Sequence, residues 1–214
     1  MAYQSPIILH HCYSCNINVD KQIHIKGFNY GAIYDPSKHI FKVQDKIIIK
    51  LNSNKYQLEE YHFHTPGEHD VNNKIYDAEV HYVFVQLHPG EKHRPENYIC
   101  RNVCCDNEPD TSNESKTDDD CDCPCDDTVR NILVIGRIIC PDDDCIKLDK
   151  IQVDVPSRYY MYDGSLTTGN YAPVRWIVGD SPICMNVNEI EYFTKSARPI
   201  QSLDGRIILF SDNY

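Results

Sequence analysis

Two short stretches with the same two-residue spacing constrain this chain most: Tyr61-His-Phe-His-Thr-Pro-Gly-Glu-His69 and Asp77-Ala-Glu-Val-His-Tyr-Val83. In an extended strand successive side chains alternate between faces, so residues two apart share one. His62 and His64 therefore project together, and so do Glu79 and His81. The link from Thr65 to Lys74 holds a Pro-Gly and an Asn-Asn pair, both turn-prone. Two strands joined this way can run antiparallel and set His81 beside His62 and His64. Three imidazoles on one sheet face are what an open tetrahedral zinc site needs, with a water as fourth ligand. A His-x-His pair alone is weak evidence for a metal. The third histidine on a matching strand strengthens it, as do Glu60 on the face of His62 and Glu79 on the face of His81. Metal-bound imidazoles hand their second N–H to a carboxylate or carbonyl, which fixes tautomer and orientation.

The remaining pattern is one of strands. Lys46 to Leu51, Tyr56 to His64, Tyr76 to Leu87 and Asn131 to Ile139 read as extended, with shorter runs at Val174 to Val178 and Arg206 to Phe210. Pro, Gly, Asn and Asp punctuate between them. No long segment has apolar residues at helical spacing. The expectation is a mostly β chain, one domain over residues 1–214, in which non-adjacent strands close one large sheet. That length can bury a substantial core. No stretch has the length of a membrane-spanning helix. The formal net charge of -11 argues against nucleic acid or an anionic membrane as partner. The start, Met-Ala-Tyr-Gln-Ser-Pro, has no basic segment followed by an apolar run, so no signal peptide is read and a cytoplasmic location is expected.

From about residue 88 to 130 the composition changes: Asp, Glu, Asn, Ser, Thr, Pro and Cys replace the apolar residues. Eight of the eleven cysteines fall between Cys100 and Cys145. Three readings stand side by side: a solvated flexible insertion, a second metal site using the Cys-Asp-Cys-Pro-Cys thiolates, and disulfides. An odd cysteine count cannot pair fully within the chain.

The chain resembles the α-class carbonic anhydrases. The resemblance is carried by Gln4-Ser-Pro-Ile7, His39-Ile-Phe-Lys-Val43, Tyr56-Gln-Leu-Glu-Glu-Tyr-His-Phe-His64, Glu68-His69, Ala78-Glu-Val-His81, Ile132-Leu-Val-Ile-Gly136, Ser165-Leu-Thr-Thr168 and Val174-Arg-Trp-Ile177, in the family's order. It implies a central twisted mixed sheet with a conical cleft, and reversible hydration of CO2 to bicarbonate by a zinc-bound hydroxide. By the resemblance His62, His64 and His81 are the zinc ligands, with Glu60 and Glu79 behind them. Thr167 matches the family's gatekeeper, accepting a hydrogen bond from the hydroxide and donating to Glu68. Val83, Val134, Leu166, Val174 and Trp176 would wall the CO2 site, with Thr168 the polar neighbour for bicarbonate. His39 falls at the proton-shuttle position, and His69 reads as structural.

The chain also departs from the family. Many secreted members use one disulfide whose two cysteines have no counterpart here, which favours a reducing compartment. Glu60 stands where Gln is usual, Lys42 replaces a common pocket Asn, and Ser37-Lys38 replaces Asn-Gly. Two other functions compete with the enzyme. One is a carbonic-anhydrase-like binding or attachment module, against which the retained ligand histidines count. The other is a metal- or redox-responsive protein acting through its cysteines.

Overall fold

A computed structural model describes residues 3–11, 14–16, 24–26, 31–51, 54–87, 132–146, 153, 155–186 and 190–212. The insertion expected at 88–130 lies outside the described residues, and with it the thiolates of the second metal site considered above. In chain order the strands are β1 (Ile8–Leu9), β2 (Ser14–Asn16), β3 (His24–Lys26), β4 (Ala32–Asp35), β5 (Ile40–Val43), β6 (Ile48–Leu51), β7 (Asn54–Thr65), β8 (Asp70–Val71), β9 (Ala78–Gln86), β10 (Ile132–Ile146), β11 (Arg158–Ser165), β12 (Pro173–Gly179), β13 (Ile183–Met185), β14 (Thr194–Ser196) and β15 (Ile208–Asp212). A 3-10 turn, Glu191–Phe193, precedes β14. None of the described helical segments is long and apolar enough to cross a membrane.

Thirteen strands form one mixed sheet along the path β2-β15-β11-β12-β10-β9-β7-β5-β4, with β13 beside β10, β14 beside β7, and β6 joining β3 to β7. The mostly β expectation holds. The histidine-bearing strands β7 and β9 are neighbours deep in this order, antiparallel as expected, with His62 opposite His81 and His64 opposite Glu79. Both faces of β9 are covered, so seven consecutive residues from Ala78 are buried. Its even-numbered Ala78, Val80, Tyr82 and Phe84 join one apolar cluster. Its odd-numbered Val83 joins the other, and Glu79 and His81 share that face by alternation.

β7 does not follow one alternation. Tyr56 and Leu58 enter the same cluster as Tyr61 and Phe63, although the two pairs differ in parity. The register with β9 shifts between Leu58 and Glu60, where Glu59 is the extra residue. A bulge of this kind sets two residues against one on the partner strand. Beyond it the apolar residues keep to the core, and Glu60, His62 and His64 share the opposite face.

Several strand limits differ from the sequence reading. β10 runs past Pro141 and three aspartates because it gains β13 as a parallel neighbour, again with a register shift. β11, rich in tyrosine, has no place among the expected strands. It pairs with β12 and β15 on its two sides, burying Tyr159, Tyr160 and Tyr162.

Candidate metal centre

His62, His64 and His81 are all buried. Their ring centroids lie 5.1 Å (62 to 64), 5.3 Å (62 to 81) and 4.8 Å (64 to 81) apart. One ligand atom from each falls within 4.8 Å of the others, a spacing that could hold a metal ion. Each ring has one nitrogen directed at a protein group. His64 Nδ1 lies 3.1 Å from the Ser196 carbonyl oxygen. His81 Nε2 lies 3.0 Å from Glu79 Oε1. His62 Nδ1 faces Glu60 Oε1 at 3.6 Å, longer than a hydrogen bond. That leaves Nε2 of His62, Nε2 of His64 and Nδ1 of His81. The buried His64 Nε2 has no hydrogen-bond partner, and buried polar atoms normally find one. A cation between the three rings would supply it. The residues therefore fit a metal.

Glu79 ties this centre to the fold. Its Oε2 accepts the backbone N–H groups of Glu68 and His69, both at 2.9 Å. Its Oε1 lies 2.7 Å from His69 Nδ1 as well as beside His81. His69 Nε2 in turn lies 2.7 Å from the Tyr162 hydroxyl, which donates to Ser5 Oγ. His69 is thus bonded within the sheet. Gly136, opposite His81 on β10, makes room for the carboxylate: a Cβ there would lie 2.8 Å from Glu79 Oε1. Burial acts to raise the Glu79 pKa, but His69 and His81 outweigh it and hold the carboxyl well below its ordinary value.

Glu68 is buried beside the centre. Its Oε1 accepts the Arg198 backbone N–H at 2.7 Å and lies 3.3 Å from His64 Nδ1. Its Oε2 is buried without a hydrogen-bond partner. The hydrogen bond expected from Thr167 to this carboxylate is therefore not made in the structure, although Thr167 is buried just after β11. Thr168 follows it, half-buried.

The expected apolar wall is one contiguous group. Val83, Val134, Val174 and Trp176 belong to a single buried cluster, with Leu166 packed against it. Val83 is paired across strands with Val134, and Val134 with Trp176. The indole lies 4.8 Å from the His81 ring, so this cluster abuts the three histidines. His39 is exposed in the turn ahead of β5, with Nδ1 2.9 Å from the Tyr34 hydroxyl. β5 brings this turn to the strand of His62 and His64, pairing Lys42 with Glu60. Lys195, which the sequence reading passes over, lies on β14 opposite His64. Cys140 is a free thiol and Cys184 is disulfide-bonded. A reading that favours reduced cysteines does not anticipate that bond.

Burial lowers the pKa of His62 to about 4 and that of His64 to about 2, in each case from 6.5. The unfolded chain therefore takes up these protons more readily than the folded one. Their contribution to stability is complete above about pH 6.5 and is lost as pH falls toward the folded values. Chelator-treated protein should show a lower urea midpoint at pH about 5 than at about 7.5. Equal midpoints would contradict the burial of these rings.

No protein-family model matches the chain. A carbonic anhydrase of Pectobacterium atrosepticum is 24% identical over 176 residues, covering 74% of this chain. The chain spans 60% of that relative's length. Among solved structures, the α-carbonic anhydrase of Thermovibrio ammonificans, in complex with sulfanilamide, superposes with a TM-score of 0.65 at 21% identity, over 97% of this chain and 86% of that one. Dioscorin complexed with ascorbate also gives 0.65, at 18% identity, over 97% and 85%. At these identities a structural likeness speaks for the fold. The chain resembles curated carbonic anhydrases in sequence and has the fold of the α-class carbonic anhydrases.

Proposed function

We propose that this protein is a zinc-dependent carbonic anhydrase, converting CO2 reversibly to bicarbonate and a proton. The observation that carries this is the convergence of three buried imidazoles, each with its other nitrogen directed at a protein group, against an apolar wall. Zinc suits an open site with three nitrogen ligands, and when bound it lowers the pKa of a coordinated water to about 7.

The chain's own residues do the rest. Ser196, Glu79 and Glu60 orient the three rings. Val83, Val134, Leu166, Val174 and Trp176 exclude water and receive an apolar substrate. Thr167 takes the gatekeeper's place, holding a proton position between substrate and Glu68. Thr168 offers a hydroxyl to bicarbonate. His39, exposed in the turn ahead of β5, carries the released proton outward.

Zinc content per chain and stopped-flow CO2 hydration test the reading. One zinc and a rate well above buffer are expected; a folded, zinc-loaded chain without hydration would overturn it. Thr167→Ala should keep its zinc and lose activity by on the order of 10²-fold, the usual cost of one oriented catalytic hydrogen bond. An unchanged rate would remove Thr167 from the mechanism. A second reading is a binding module, since the ascorbate complex of dioscorin shares the fold as fully as an enzyme does. The histidine centre favours the enzyme.

A further inference from the structure

A lysine beside metal-binding histidines needs a reason. Lys195 pairs with His64 in parallel register, so both side chains leave the sheet on the same face. That face also carries Glu60 and His62. The ammonium is close enough for its charge to act on Glu60 and on His62, and for Glu68 and Lys38 to act on it. Lys195 is half-buried, and among the described residues no carboxylate is ion-paired with it. Burial lowers its pKa from the ordinary lysine value, against which Glu60 and Glu68 act.

Two of the neighbouring charges already face a partner, whereas Glu68 keeps an unpartnered Oε2. Glu60 faces His62, and Lys42, paired across strands with Glu60, is held by Asp35 at 3.3 Å. Lys38 is exposed in the turn ahead of β5. An ammonium has three donors and no acceptor, so a small anion is a ligand it can take.

We propose that Lys195, supported by Lys38, is a positioning residue for anions beside the three histidines, holding bicarbonate and the small monovalent anions that compete with it. This rests on the metal-site reading above. The CO2–bicarbonate equilibrium fixes the ratio of forward to reverse kcat/KM, so anion affinity is the informative quantity.

The test uses the full chain loaded with cobalt(II), whose visible absorption reports ligands at the metal. Thiocyanate is the anionic probe and imidazole the neutral one. Lys195→Gln should raise the thiocyanate Kd about fivefold, the scale of one partly screened charge at several ångströms, and leave imidazole unchanged. Lys195→Arg should restore the thiocyanate affinity. A thiocyanate Kd equal to that of the parent, or equal losses for both probes, would overturn the proposal. If Lys195→Gln takes up no cobalt, Lys38→Gln carries the same comparison with a smaller rise, and an unchanged Kd there overturns it. Failure of the parent chain to bind cobalt would sink the metal-site reading itself, and this proposal with it.

Discussion

A His81→Ala chain should hold no stoichiometric zinc and hydrate CO2 no faster than buffer does. His81 faces His62 across the β7–β9 ladder and is the third member of the centre. Without it two imidazoles remain, one fewer than a catalytic zinc site takes from its protein. The fold should persist. Glu79 loses His81 but keeps the two backbone N–H groups and His69, and a buried side chain truncated to alanine costs a few kcal/mol, about 2–5. Mass spectrometry of the native protein, near-UV circular dichroism and stopped-flow hydration separate the outcomes. A His81→Ala chain that keeps one zinc and full activity would refute the ligand assignment.

Replacing Glu79 by alanine should injure the fold more than the loss of any one ligand. The carboxylate serves four nitrogens: the amides of Glu68 and His69 and the imidazoles of His69 and His81. Each buried donor left without a partner costs about 1–3 kcal/mol. The sum is comparable to the whole stability of an ordinary domain, about 5–15 kcal/mol. The expected result is a chain that is largely unfolded or molten at 25 °C. A Glu79→Gln chain should be intermediate, since the amide keeps one acceptor oxygen but turns an NH2 toward donors. The sign with pH follows from the depressed carboxyl. Its stabilisation is present above the ordinary value of 4.5 and is lost as pH falls through the lower folded value. Urea titration of the variants against the parent decides the matter. A Glu79→Ala midpoint matching the parent's would show that those donors find other partners.

The centre is legible in the sequence because its logic is local. Period-two spacing places His62 with His64 and Glu79 with His81 whatever surrounds them, and the turn-prone link from Thr65 to Lys74 leaves little choice but an antiparallel pair. Contacts that join distant parts of the chain carry no such mark. Ser196 lies 132 residues from His64, and nothing in Lys-Ser-Ala announces that β14 will lie beside β7. Lys195 escapes notice for the same reason. β11 is hidden because its burial comes from tyrosines, which read equally well as surface. The Thr167–Glu68 hydrogen bond, inferred from resemblance alone, is not formed. The bulge could have been read: apolar residues change phase between Leu58 and Tyr61, and only an extra residue reconciles the two halves with one buried face.

That bulge decides where β7 tolerates a change in length. Glu59 is a spare residue in the ladder, so its removal would join two halves already in phase and leave Tyr61 and Phe63 inward and both histidines outward. Loss of one residue anywhere from Glu60 to Phe63 would do the opposite, setting aromatic rings where the imidazoles belong. Length variation among natural versions of this strand should therefore collect at one point, just ahead of Glu60. The spacing from there to His64 should stay fixed even where every apolar residue between has been exchanged.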